Sequence, residues 1–222
     1  ATAGGGGEML IGPGGDGGAA GSIETCPHKQ VAANEVLWIG DSWAQKTSLQ
    51  ARIQQLAVDA NTINQGEEYE SLAAAAANMA GVAKQYDSRE GGATKVKVLL
   101  MDGGTWDPIA AQLMDPSLVP AAIDKSIATF RTFLAKVASD GTVEHVVYFL
   151  VPELSTIPGV ATMRPQLQQA CAESIVPCHF IDLQPYWSKD YTAADGIQPS
   201  DAGGVVIADL VWAQMQEHCI AQ

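Results

Sequence analysis

The stretch EVLWIGDSWAQKTSLQARIQQLAV, residues 35–58, decides how the chain folds. Its first six residues, 35–40, are a predicted strand, because the continuous apolar run from Val36 to Ile39 is typical of a strand buried on both faces and is followed by Gly40. The segment from about Gln45 to Val58 is predicted to be helical. A strand that passes through a glycine into a helix is the first half of a βαβ unit, so this stretch predicts an α/β fold.

The same alternation of short apolar runs and longer amphipathic segments continues to the end of the chain. Because strands that alternate with helices build parallel sheets covered on both faces, we expect one five-stranded parallel sheet. Ser200 is the predicted N-cap of the last helix. The other predicted strands are 61–64, 95–103, 144–151 and 178–183, and the other predicted helices are 68–85, 120–139, 162–174 and 201–218.

Composition limits the classes of protein to which the chain can belong. A length of 222 residues suits one α/β domain, and a net charge of −13 argues against nucleic acid as a partner. No apolar run reaches the length of about 18 residues that a membrane span needs. Residues 1–22 hold ten of the 22 glycines, which predicts a flexible tail before a single domain at 23–222. Such a glycine-rich leader favours a secreted, periplasmic or surface-tethered protein.

The cysteines and histidines show no metal-binding pattern in the sequence. The cysteines lack zinc-site spacing, and His28, His145, His179 and His218 are scattered along the chain, so we expect neither a metal nor a cofactor. The cysteines are instead expected to form disulfides. In a parallel α/β fold, helices end at the edge where strands begin, which predicts the pairs Cys171–Cys178 and Cys26–Cys219.

The loops that follow the predicted strands carry the candidate functional residues. In parallel sheets such loops gather at the carboxyl edge, where binding sites form. Each loop also has an ordinary interpretation as a strand-to-helix turn, and Asp41 with Ser42 would serve as a helix cap. The candidates are Ser42 after the first strand, Gly66 after the second, Gly104, Thr105, Trp106 and Asp107 after the third, and Asp195 to Pro199 in the last loop.

Taken together, these motifs resemble those of the SGNH (GDSL-type) hydrolases, which are esterases, lipases and carbohydrate deacetylases. The match covers the chain from Glu35 onward, and it implies a flavodoxin-like three-layer α/β/α sandwich. It implies that Ser42 is the nucleophile and an oxyanion donor, with Gly66 as the next donor. The sequence 104–107 aligns with the Gly-x-Asn-Asp motif of the family, and 195–199 aligns with its Asp-x-x-His-Pro motif.

The chain departs from that family at two positions. Trp106 stands where the family has an oxyanion-donating asparagine, and Gln198 stands where it has the histidine base. A primary amide has no basicity near neutral pH, so it cannot activate a serine hydroxyl. The histidines are expected at the opposite edge of the sheet, and Asp107 would be a poor substitute base. Whether Gln198 is natural or introduced stays open, although the independent change at Trp106 favours natural divergence.

Two classes of function follow from these residues. In the first, the chain is an ester hydrolase scaffold whose turnover is very weak or lost. In the second, it is a non-catalytic protein that binds a carbohydrate or acyl ligand in the same cleft. Trp43, Trp106 and Trp187 are expected near Ser42, where they would contact a small ester, acyl or glycan ligand or simply pack the loops.

Overall fold

Five parallel strands form a single sheet in the computed structural model, which describes residues 31–90 and 95–220. The strand order is β2-β1-β3-β4-β5, which is the flavodoxin-like order with its crossover beside β1. The predicted tail at 1–22, Cys26 and His28 lie outside the described residues. The strands are β1 (Val36–Ile39), β2 (Glu70–Ser71), β3 (Val98–Met101), β4 (His145–Leu150) and β5 (Cys178–Asp182).

Helices cover both faces of this sheet, as the sequence pattern predicts. One layer pairs the first and last helices, and the longest helix of the other layer packs against its three neighbours. All residues of β1 and β3 are buried, because a central parallel strand has a helix above and below it. The helices are α1 (Thr47–Asp59), α2 (Met79–Glu90), α3 (Trp106–Met114), α4 (Val119–Asp140), α5 (Val160–Ala172) and α6 (Asp201–Glu217). The three-layer α/β/α architecture is confirmed.

The second strand was wrongly predicted. Residues 61–64 form a turn at the end of α1, where the Thr62 amide donates to the Ala57 carbonyl at 2.8 Å. Ile63 is buried there because it closes the end of the helix, not because it belongs to a strand. The strand that pairs with β1 is Glu70–Ser71, an edge strand of only two residues. Its sequence carries no run of apolar residues from which it could be recognised.

One helix boundary differs from the prediction, and one helix was not predicted. The Ala-rich segment 68–85 becomes helical only at Met79, whose amide donates to the Asp107 carboxylate at 2.8 Å. The Asn78 side chain caps the same turn by accepting from the Gly81 amide. Helix α3 was not predicted, because Gly103 and Gly104 made the segment resemble a loop. The N-cap of α6 is confirmed, since the Ser200 hydroxyl accepts from the Gly203 amide at 3.1 Å.

The disulfide between Cys171 and Cys178 is present, with a Cα–Cα distance of 5.2 Å. It joins the end of α5 to the start of β5, which is the neighbourhood that the fold class predicts. The pairing of Cys26 with Cys219 stays a prediction, because Cys26 lies outside the described residues. No helix in residues 31–90 and 95–220 combines the length and the apolar character that crossing a membrane requires.

Candidate active site

The turn after β1 carries Ser42, and Gly40 sets its shape. Gly40 has a φ of 147°, a conformation that favours glycine, and a Cβ added there would lie 1.8 Å from the Asp102 side chain. Its backbone is also held from the side, because the Gln85 amide both accepts from the Gly40 N–H and donates to its carbonyl. The backbone conformation after β1 is therefore fixed, and it places Ser42 at the carboxyl edge of the sheet.

Asp41 and Asp102 form a buried carboxyl pair beneath Ser42. Asp41 is 3% exposed and Asp102 is fully buried. Asp102 accepts from the Asp41 amide at 2.8 Å, and the Asp41 carboxylate accepts from the Trp43 amide at 3.0 Å and from the Thr105 hydroxyl at 3.2 Å. The bond to Trp43 closes a turn before α1, whose N-cap is Lys46, so the predicted role of Asp41 as a helix cap was wrong.

Burial raises the pKa of Asp102 well above its usual range, and the neighbouring carboxylate of Asp41 raises it further. Both effects favour the protonated form of Asp102, so we assign the proton of this pair to Asp102. Its second oxygen is buried and has no hydrogen-bond partner among the described residues. Asp102 was not singled out from the sequence, although an acid directly after a buried apolar strand was a signal for it.

Gln198 contacts Ser42 directly, across 156 positions of sequence. Its side-chain amide donates to the serine hydroxyl oxygen, with an Nε2–Oγ distance of 2.7 Å. Both residues are half-buried. An amide N–H that points at Oγ occupies a lone pair of the hydroxyl and offers no site for its proton. The pair is thus a hydrogen-bonded contact without a base.

Asp195 holds the turn that presents Gln198. One carboxylate oxygen accepts from the amides of Ile197 and Gln198, both at 2.9 Å. These two hydrogen bonds lower the pKa of the exposed Asp195 carboxyl. The turn is closed from the other side by an isolated bridge between Thr192 and Pro199. Asp195 therefore orients the backbone at position 198 in this structure.

Two of the candidate tryptophans pack the loops. Trp43, predicted to line the cleft, is only 2% exposed, and its ring centroid lies 5.0 Å from that of Trp187. The Trp187 indole donates to the Thr192 hydroxyl at 3.0 Å, which ties this pair to the last loop. A ring that is buried in this way has no face for a ligand. For Trp43, the cleft position was therefore wrong and the packing alternative holds.

Trp106 and Asp107 lie at one end of a surface groove. The Asp107 carboxylate caps α2 through Met79, and burial raises its pKa. Gly104, with a φ of 94°, precedes them where a Cβ would lie 2.9 Å from the Ser126 hydroxyl. The groove has a volume of about 480 Å³ and is lined mostly by small and apolar side chains: Ala76, Asn78, Trp106, Asp107, Ala110, Ala111, Met114, Leu118, Ala121, Ala122 and Lys125.

Gly66 does not occupy the place that its predicted role requires. It lies four residues before β2, in an exposed turn, whereas the carboxyl end of that strand is Ser71. The segment that follows this end is 72–78, where the Ala74 amide donates to the Gly40 carbonyl. The match of Gly66 to a strand-end glycine was therefore wrong, because it depended on the misplaced second strand.

Three histidines that are far apart in the sequence lie together at the amino edge. His145 begins β4, His179 is the second residue of β5, and His218 follows α6. The His145 Nδ1 and His179 Nε2 atoms are 3.1 Å apart, and the His179 and His218 ring centroids are 4.0 Å apart. The prediction that these three histidines lie at the edge of the sheet opposite Ser42 is confirmed. They are not scattered in space, however, as their positions in the sequence suggested.

Comparison with known proteins agrees with this geometry at the level of the fold. No family model and no curated protein matches the chain. Among solved structures, a catalytic mutant of Axe2, an acetylxylan esterase from Geobacillus stearothermophilus, is 13% identical with a TM-score of 0.61, over 84% of this chain and 96% of that one. The chain has the fold of an esterase. The predicted resemblance to the hydrolase family is confirmed at this level.

Two further structures are similar to the same extent. LAE5, an alpha/beta hydrolase from the metagenome of Lake Arreo in Spain, is 16% identical with a TM-score of 0.59, over 81% of this chain and 93% of that one. The psychrotrophic esterase EstA from Pseudoalteromonas is 12% identical with a TM-score of 0.61, over 83% and 97% of the two chains. Identities this low establish shared architecture, and the chemistry must be argued from the side chains.

Proposed function

We propose that the chain is an SGNH-type ester hydrolase scaffold that accepts an acyl or acetyl ester at Ser42 and hydrolyses it very slowly or not at all. The 2.7 Å contact between the Gln198 amide and the Ser42 hydroxyl carries this proposal. The contact supports the alignment of residue 198 with the histidine of the family. It also supports the proposed loss of hydrolysis, because the side chain that contacts the Ser42 hydroxyl is not a base.

The absence of a general base beside Ser42 is expected to lower the turnover number by several orders of magnitude. A serine hydroxyl attacks a carbonyl carbon only as its proton moves to a base, which later protonates the leaving group. Neither oxygen nor nitrogen of the Gln198 amide accepts that proton near neutral pH. Loss of one member of a catalytic triad lowers turnover by about 10⁴- to 10⁶-fold. We therefore expect ester hydrolysis close to the background rate.

Within residues 31–90 and 95–220, the carboxylates and histidines considered as replacement bases are engaged elsewhere or lie at the other edge of the sheet. The Asp195 carboxylate is engaged with the amides of its own turn, and the Asp107 carboxylate caps α2. Among the described residues, the histidines lie at the amino edge of the sheet, opposite Ser42. Loss of a side-chain oxyanion donor at Trp106 would cost about another 10²- to 10³-fold.

Restoring the histidine tests the proposal. We expect Gln198→His to produce measurable hydrolysis of a short-chain p-nitrophenyl ester, and Gln198→His with Trp106→Asn to produce more. The gain should vanish when Ser42→Ala is added. Gln168→His, at an exposed position on α5, is the matched control and should gain nothing. A double variant that folds normally yet shows no turnover dependent on Ser42 would overturn the proposed alignment.

The alternative function is binding of a carbohydrate or acyl ligand without turnover. The groove lined by Trp106 and Asp107 supports it, since a concave surface of small and apolar side chains with a few polar groups suits a ligand of this kind. Labelling of the native chain with a fluorophosphonate separates the two functions. Strong labelling at Ser42, absent in Ser42→Ala, requires an activated serine and would contradict an inactive site. Weak labelling together with measurable binding of an ester or glycan would favour the binding protein.

A further inference from the structure

The row of histidines at the amino edge is built by the register of the sheet. Val147 of β4 is paired with His179 of β5, and His145 lies two residues before Val147 on the same face. His218 follows α6, which packs on β4 and β5. Backbone pairing therefore holds the first two imidazoles, and the helix brings the third ring over His179.

The separation of the two facing nitrogens suits coordination of one metal ion. Imidazole nitrogens bind such ions at about 2.0–2.1 Å, so two ligands at angles from 90° to 109° stand about 2.9 to 3.4 Å apart. The observed Nδ1–Nε2 distance of 3.1 Å falls within this range. To bind a shared ion, both rings must rotate so that the two nitrogens point away from each other and toward that ion.

The tautomers of the two rings must change when an ion binds. In the ion-free pair, one facing nitrogen donates its hydrogen to the other. Binding shifts that proton to the far nitrogen of the same ring, so that both facing nitrogens present a lone pair to the ion.

We propose that His145 and His179 form a bidentate site for a divalent transition metal ion, with Cu²⁺ as the tightest ligand. Among the divalent ions of the first transition row, Cu²⁺ binds nitrogen ligands most tightly. The net charge of −13 also favours cations near the protein surface. Water completes the coordination, because no group of three or more His, Cys, Asp or Glu side chains in the described part of the chain is placed to hold a metal. His218 stacks on His179 without ligating.

The site lies at the edge of the sheet opposite Ser42, so its role is structural. An ion there ties β4 to β5 and stabilises only the folded chain, which raises the melting temperature. Copper binding at this site does not depend on the proposed function, since labelling or hydrolysis at Ser42 is measured without copper.

The test is titration of the native chain with copper sulfate. We expect EPR at one equivalent to show two equatorial nitrogen ligands, and NMR to show broadening centred on His145 and His179 that includes the neighbouring ring of His218. His145→Gln and His179→Gln should each weaken binding by more than about tenfold, since even losing a hydrogen-bond partner of a ligand costs that much. Each should also abolish the rise in melting temperature.

His218→Gln is the matched control, and it should keep the two-nitrogen spectrum. The NMR measurement needs no variant, so it decides the matter even where a substitution prevents folding. Broadening centred on other residues would overturn the site. Equal copper affinity in the native chain and in both ligand variants, or the absence of binding, would overturn it too.

Discussion

Replacing Asp102 by asparagine tests the assignment of a buried proton beneath Ser42. The amide is the same size as a protonated carboxyl group, and it cannot ionise. Its oxygen can accept from the Asp41 amide as Asp102 does at 2.8 Å, while its N–H₂ group can donate toward the Asp41 carboxylate. Asp102→Asn therefore keeps the hydrogen bond from the Asp41 amide and removes the titration.

The pH dependence of stability follows from the raised pKa of Asp102. Above pH 4, an aspartate in the unfolded chain loses its proton, while Asp102 in the folded chain keeps its own. The folded state then binds more protons, so the free energy of unfolding falls as pH rises, by about 1.4 kcal/mol per pH unit. This fall ends at the folded pKa of Asp102. In the asparagine variant it is absent.

Urea unfolding of the native chain and of Asp102→Asn at several pH values measures the difference. We expect the free energy of unfolding of the variant to rise relative to that of the native chain as the pH increases above 4, with a slope of up to about 1.4 kcal/mol per pH unit, at equal m-values. Asp124→Asn, at an exposed position on α4, is the control for loss of a carboxylate and should show a much smaller change. A difference between Asp102→Asn and the native chain that is constant over this range would refute the proton assignment.

The remaining predictions concern the backbone at Gly40 and the disulfide. Gly40→Ala should lower the free energy of unfolding by more than about 3 kcal/mol, because its Cβ would overlap Asp102 at 1.8 Å. Gly66→Ala, where a Cβ meets nothing within 4 Å, should lower the free energy of unfolding by only about 1–2 kcal/mol, because of its positive φ. Equal losses in the two variants would contradict the steric argument. Replacing Cys171 and Cys178 by alanine removes a link across seven positions and should cost about 2–3 kcal/mol in urea unfolding; an unchanged midpoint would show that the link does not stabilise the fold.

Much of the architecture was predictable because it depends on local patterns. Strand β1 is buried on both faces and therefore had to be an uninterrupted apolar run. The start of α6 was visible in Ser200, whose hydroxyl caps the helix that it precedes. The turn at 195–199 was recognisable because Asp195 binds amides only two and three residues away. The Cys171–Cys178 link followed from the fold class, since α5 must end where β5 begins.

Other features were decided only by the tertiary structure. The edge strand Glu70–Ser71 exists because β1 pairs with it, and so Gly66 was misplaced together with it. The proton on Asp102 depends on burial beside Asp41, from a loop 61 positions away. Likewise, His145 and His179 meet because the β4–β5 register brings them together. Local patterns determine which segments form strands and helices, whereas contacts between distant segments depend on strand register and on the dielectric environment, and both exist only after the chain has folded.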